Sequence, residues 1–182
     1  EKRGILHKYE ISPNFKKKSL LELAKINDGV SSKEKKQRRD LRTIPCFTID
    51  PHDAKDFDDA ISVNQINGDV YEIGVHIADV SHYIKEGSSL DQEAFERGCS
   101  VYLENEVIPM IPEKLSNKIC SLRPKEDKLC FSVVFKFSKN GTILDSWIGK
   151  TIINSDYRLT YQEAQDIING SNHKLKIEIN LL

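Results

Sequence analysis

From residue 44 onward apolar and polar positions alternate in short runs, the two-residue period of strands buried on one face. Residues 46–49 form a β-type run that stops at Asp50-Pro51, because proline cannot continue a paired strand. Residues 60–66 alternate through Ile61, Val63 and Gln65, Asn67-Gly68 supplies a two-residue hairpin turn, and residues 70–78 return. A second, longer hairpin runs over 128–137 and 142–154 around Lys139-Asn140-Gly141, and 107–111 reads as a short extended piece. Helix signals lie between these runs. Ser88 or Ser89 caps a helix over 90–97 ended by Gly98, and Pro112 opens a small helix through Ile119. Thr160-Tyr161-Gln162-Glu163 is a capping box for a helix that Gly170 closes. Ahead of residue 44 the pattern is weak. Residues 1–18 read as a polar connector, Ser19 caps a short helix over 20–26 ended by Gly29, and Ser31 or Ser32 starts an exposed polar helix to about Leu41. The pattern predicts an α+β fold: a mixed, largely antiparallel sheet with flanking short helices.

Composition fits one soluble globular domain: 182 residues, 38% hydrophobic and 30% charged. No apolar run approaches the roughly 20 residues of a membrane span, and the N-terminus lacks a signal-peptide pattern. It also lacks an initiator Met, so the chain is read as starting inside a longer one. Cys46, Cys99, Cys120 and Cys130 form no Cys-x-x-Cys and no zinc-type spacing with histidine, so they are expected to be free thiols in a reducing compartment. The net charge of -1 hides an asymmetry: residues 1–42 carry 13 Lys/Arg against 6 Asp/Glu, and the remainder 14 against 22. A basic solvated segment ahead of an acidic domain explains this, and charge alone favours that reading. A segment lying near a polyanion, with carboxylates gathered for a cation, explains it too.

The chemistry concentrates between the first two predicted core strands. Asp50, Asp53, Asp56, Asp58 and Asp59 fall within ten residues. Carboxylates that close repel unless a cation neutralises them, and an all-oxygen donor set selects a hard ion such as Mg²⁺ or Mn²⁺. Asp50 closes one strand and Asp59 opens the next, so the loop between them can fold the acids together. Such a cluster suits phosphodiester cleavage, which needs an activated water and relief of charge on the phosphoryl and departing oxygens. An EF-hand is excluded: counting from Asp56, the sixth position is not glycine and the twelfth is Asn67. An aspartate-rich solvated turn remains the alternative at this point.

The ordered motifs narrow the choice. Asp40-Leu41-Arg42, Thr48-Ile49-Asp50-Pro51, Asp53-Ala54-Lys55-Asp56-Phe57-Asp58-Asp59-Ala60, Gly74-Val75-His76-Ile77-Ala78-Asp79-Val80-Ser81-His82-Tyr83, Ser100-Val101-Tyr102, Val107-Ile108-Pro109-Met110, Leu115-Ser116-Asn117 and Cys120-Ser121-Leu122 resemble, in order, the RNB nuclease domain of the RNase II/RNase R family, nearer its RNase R branch. The resemblance covers roughly residues 40–160. It implies a linker over 1–39 and the N-terminal part of the catalytic domain over 40–182, about half of that domain. It implies a 3′-to-5′ exoribonuclease that processively hydrolyses single-stranded RNA to nucleoside 5′-monophosphates. Mg²⁺ (or Mn²⁺) would be held by Asp50, Asp56 and Asp59, with Asp58 most critical for cleavage, and Tyr102 would stack on the 3′-terminal base. The resemblance further implies a cytoplasmic enzyme, monomeric at full length, with no membrane or DNA partner. The alternative is an inactive RNA-binding or regulatory paralogue, which the intact aspartates disfavour. Asp53 is expected in a turn or cap. His76 is expected to be structural, Asp79 to bond the amides of Val80 and Ser81, Ser116 or Asn117 to cap, and Arg158 to form an ion pair or an RNA contact.

Overall fold

The computed structural model describes residues 2–104 and 106–181. Nine strands form in chain order: β1 (Arg39–Asp40), β2 (Cys46–Asp50), β3 (Asp59–Asn67), β4 (Val70–Ala78), β5 (Val101–Leu103), β6 (Glu106–Ile108), β7 (Asp127–Ser138), β8 (Ile143–Asn154) and β9 (Tyr157–Thr160). Seven build one sheet in the order β1-β8-β7-β4-β3-β2-β9, and β5 and β6 form a separate ribbon. The central pairs are antiparallel, as the two hairpins predict, whereas β1 pairs parallel with β8 and β9 parallel with β2.

Among the described residues seven helices accompany the sheet: α1 (Lys2–Lys8), α2 (Lys17–Leu23), α3 (Ser32–Gln37), α4 (Val80–Tyr83), α5 (Ser89–Arg97), α6 (Tyr161–Ile168) and α7 (Lys176–Asn180). Leu115–Ile119 is a π-helical turn. The capping predictions hold where side chains do the capping. Ser88 accepts from the Asp91 amide, Ser31 from the Glu34 amide, and the Thr160–Glu163 box is complete. Gly98 and Gly170 both adopt positive φ. Ser19 departs from its predicted role. It lies inside α2, nearly fully buried, and donates to the Ser89 carbonyl of α5, so a tertiary contact replaces the cap. The N-terminal stretch read as a connector begins with α1, and the core reaches back to Leu41.

The sheet's two faces are covered differently. On one, Cys46, Ala60, Ala78, Cys130, Val134 and Ile153 pack against Leu90, Leu115, Ile119, Cys120 and Leu122 from the helices and turns above. On the other, Phe47 and Leu159 pack under α6 and α7 through Ala164, Ile167, Leu175 and Ile179. That second face continues through the cross-strand partners Ile61, Val75, Val133 and Ile148, and there Val75, Ile77, Phe131 and Ile148 are exposed.

Two polar networks fix the frame inside the first core. His76, fully buried, bonds the Ser132 hydroxyl through Nδ1 (2.7 Å) and the Ser62 hydroxyl through Nε2 (2.9 Å). Ser132 in turn bonds Thr151, so the chain of contacts crosses β3, β4, β7 and β8. Arg38 is buried with Asp79 (2.7 Å) and also bonds Glu34 and the Cys130 carbonyl. Asp79 caps α4 through the His82 amide and takes the Ser81 hydroxyl, rather than the Val80 and Ser81 amides expected. All four cysteines are free, and Cys46, Cys120 and Cys130 are buried. No helix among the described residues is long and apolar enough to cross a membrane.

Candidate active site

The pairing of β2 with β3 decides where the aspartates go. Phe47 lies opposite Ile61, so the end of β2 at Asp50 and the start of β3 at Asp59 fall at the same edge of the sheet. Residues 51–58 connect them as a loop anchored on several sides. The Ala54 amide bonds the Pro51 carbonyl to make a turn, and the Ala78 amide takes the Asp58 carbonyl. The buried Ser121 hydroxyl accepts from the Phe57 amide (3.1 Å) and donates to the Lys55 carbonyl (2.9 Å), while the Leu122 amide bonds the Phe57 carbonyl. From β9, Arg158 Nη2 donates to the carbonyls of Pro51 and His52. Arg158 therefore pairs with loop backbone instead of the carboxylate of the expected ion pair.

Burial and mutual repulsion act on the carboxylates. Asp50 is 9% exposed, and its Oδ2 is buried without a hydrogen-bond partner. Burial raises its pKa, and the charges of Asp59 and Asp56 push the same way, with the Thr48 hydroxyl and Arg158 offsetting part of this. Asp58 keeps solvent access, yet its pKa is also raised, first by desolvation and then by Asp56, Asp59 and Asp50. The four acids thus feel one another at Coulombic range. Among the described residues, however, no three His, Cys, Asp or Glu side chains converge into a ready-made metal cage. The donor chemistry still fits a hard cation. One oxygen is buried and orphaned, and Mg²⁺ usually keeps several waters and takes only one or two carboxylates plus substrate phosphate.

An open cleft of about 870 Å³ runs beside the loop. Asp50, Asp53 and Asp56 line one wall, and Tyr102 of β5 lines another, with Ser116 and Asn117 nearby. Tyr102 is 72% exposed, so its ring is available to a ligand. Asp53 therefore reaches the cleft beside the acids from which sequence reasoning separated it. Asp58 and Asp59 belong to the same cluster but are not among the lining residues. Ser116 and Asn117 lie inside the π-helical turn, where the Ser116 hydroxyl bonds Asn117 Oδ1 (2.9 Å), so neither caps it as expected. Sequence reasoning gave no role to Ser121 and Leu122, the segment that holds the loop from behind; only their presence in a family-like motif marked them.

A profile of the RNB domain matches residues 38–180. The chain belongs to the RNB-domain family. The chain is 44% identical over 166 residues to Ribonuclease R of Aquifex aeolicus, covering 91% of this chain and 24% of that protein. It is 43% identical over 178 residues to DIS3-like exonuclease 2 of Xenopus tropicalis, covering 97% and 21%. The chain thus spans about a quarter of the length of these curated relatives. Among solved structures, Mycoplasma genitalium RNase R in complex with double-stranded RNA superimposes with a TM-score of 0.84 at 30% identity, over 94% of this chain and 31% of that one. Yeast Ssd1, described as a pseudonuclease, shares the fold with a TM-score of 0.71 at 21% identity, over 82% of this chain and 19% of that one. The RNB match contains all the motifs from Asp40 onward that carried the resemblance, and its α+β architecture is the one the strand pattern predicts.

Proposed function

We propose that this chain carries the metal-binding side of an exoribonuclease active site, one that hydrolyses single-stranded RNA processively from its 3′ end to nucleoside 5′-monophosphates. The observation that carries the reading is the orphaned, buried Asp50 Oδ2 in a cleft that an exposed tyrosine also lines. Six carboxylates and a single lysine, Lys55, line that cleft among the described residues. Such a wall repels RNA phosphate unless a cation intervenes. Asp50, Asp56 and Asp59 would hold Mg²⁺ or Mn²⁺, and Asp58 would serve cleavage itself. The ion would activate a water and offset charge on the phosphoryl and departing 3′ oxygens. Tyr102 would stack on the terminal base, which suits an enzyme indifferent to sequence because every base has an aromatic face. Ribonuclease R relatives, one of them bound to ribose-methylated single-stranded RNA, support the substrate class. The same reading places the protein in the cytoplasm, as a monomer at full length without DNA or membrane partners.

An inactive RNA-binding paralogue is the second reading, favoured by the pseudonuclease that shares the fold. Retention of Asp50, Asp56, Asp58 and Asp59 supports the enzyme instead. Two measurements separate them. Mn²⁺ titrated into the chain and followed by electron paramagnetic resonance should bind, be displaced by Mg²⁺, and be lost in Asp59→Asn. In a protein of the relatives' length, 3′-end degradation of poly(A) to mononucleotides should stop in Asp58→Asn while RNA binding persists. RNA binding without any degradation in the unsubstituted protein would establish the paralogue reading. The isolated chain should cleave weakly, since Lys55 is the single cation lining its acidic cleft among the described residues.

A further inference from the structure

We infer that Arg158 is a positioning residue that sets the spacing between the two halves of the aspartate cluster by clamping both ends of the loop that joins them. The functional meaning rests on the metal reading above; the clamp itself rests on geometry. The cluster has two ends: Asp50 closes β2, while Asp56, Asp58 and Asp59 lead into β3. Arg158 stands on β9 in parallel register with β2, opposite Thr48. Its Nη2 donates to the carbonyls of Pro51 and His52, the first two residues after Asp50. The same guanidinium lies 5.6 Å from the ring centroid of Phe57, the residue between Asp56 and Asp58. One rigid side chain therefore touches both acid-bearing ends of the loop.

The choice of acceptors matters. Arg158 bonds neutral carbonyls, so no carboxylate of the loop is tied up in an ion pair with it, and its charge still favours the Asp50 anion. The acids stay free for a cation while their backbone is fixed. Ser121 and Leu122 hold the loop from the opposite side, through Lys55 and Phe57. Lysine cannot substitute, because a point ammonium on a flexible stem lacks the planar fork that bonds backbone and faces an aromatic ring together.

Amide hydrogen exchange on the metal-free 182-residue chain tests the clamp directly. The Ala54 and Phe57 amides are the reporters, since both are hydrogen-bonded within the anchored loop. In Arg158→Lys and Arg158→Met they should exchange about tenfold faster, with the amides of β4 and β7 unchanged. In the same samples Mn²⁺ affinity should fall about tenfold. Loop protection unchanged in both variants would overturn the inference. So would equal acceleration in the loop and the central strands, which would make Arg158 a support of the whole sheet. Faster loop exchange with no Mn²⁺ bound to either the unsubstituted chain or the variants would leave the clamp standing and remove the metal reading alone.

Discussion

Burial, with the Arg39 charge adding to it, lowers the His76 imidazole to about 4, so the ring is neutral near physiological pH and both nitrogens serve the hydroxyls of Ser62 and Ser132. An unfolded histidine titrates near 6.5. The folded value is depressed, so the histidine's contribution is fully present above about pH 6.5 and is lost as pH falls toward 4, a total of about 3 kcal/mol. The melting temperature should therefore decline over that interval, and His76→Gln should flatten the decline, because the carboxylates' own titration is common to both proteins. An identical slope in the variant would remove His76 as the source. Asp50 and Asp58 show the opposite sign: their raised pKa values mean that charge is unfavourable in the fold at neutral pH. That is the imprint of a site built for something other than stability. The aspartates were legible in the sequence because five of one residue type in ten positions is a local signal. The partners of Arg158 and Ser121 were not, because they are backbone groups of a distant segment, which any sequence would supply.

Elements were legible in proportion to their length and periodicity. β3 and β4 follow from alternation and Asn67-Gly68, and α6 follows from its capping box. The short strands β1 and β9 carry two and four residues and exist through their pairings with β8 and β2, which no local pattern encodes. Gly74 in β4 shows the same dependence. It lies opposite Ser62, and a Cβ there would come within 2.5 Å of Ser62 Oγ and 2.7 Å of the His76 ring. The strand pattern alone tolerates alanine at that position, but the histidine network does not. Gly74→Ala should destabilise the domain by about 1–3 kcal/mol through overpacking, as measured by urea denaturation. Adding Ser62→Ala should recover part of that loss, since the two sites share the clash. Full stability in the single variant would mean that the network relaxes at no cost.

At the scale of the whole molecule, the sheet is finished on one face and unfinished on the other. Val75, Ile77, Phe131 and Ile148 form an exposed apolar strip across three neighbouring strands. β8 is twelve residues long, yet β1 pairs with it only at Thr151 and Ile152, leaving much of its outer edge open among the described residues. Exposed edges and apolar faces of this kind drive association. Sedimentation of the isolated chain should show concentration-dependent self-association, and Ile148→Lys with Ile77→Lys should reduce it. A strictly monomeric chain at high concentration would contradict this. The acidic cleft lies at the far edge of the sheet, formed by the β2–β3 loop and the β5–β6 ribbon.

The sequence by itself determined the strand and helix periodicity, the hairpin turns, the caps and the identity of the acids, because each is written in residues close together along the chain. The tertiary structure alone decided that β9 returns beside β2 in parallel, bringing Arg158 onto the Asp50 loop, and that the β5–β6 ribbon sets Tyr102 across from it. Those placements depend on which apolar faces can be buried together, and that is a property of the assembled sheet and its two cores.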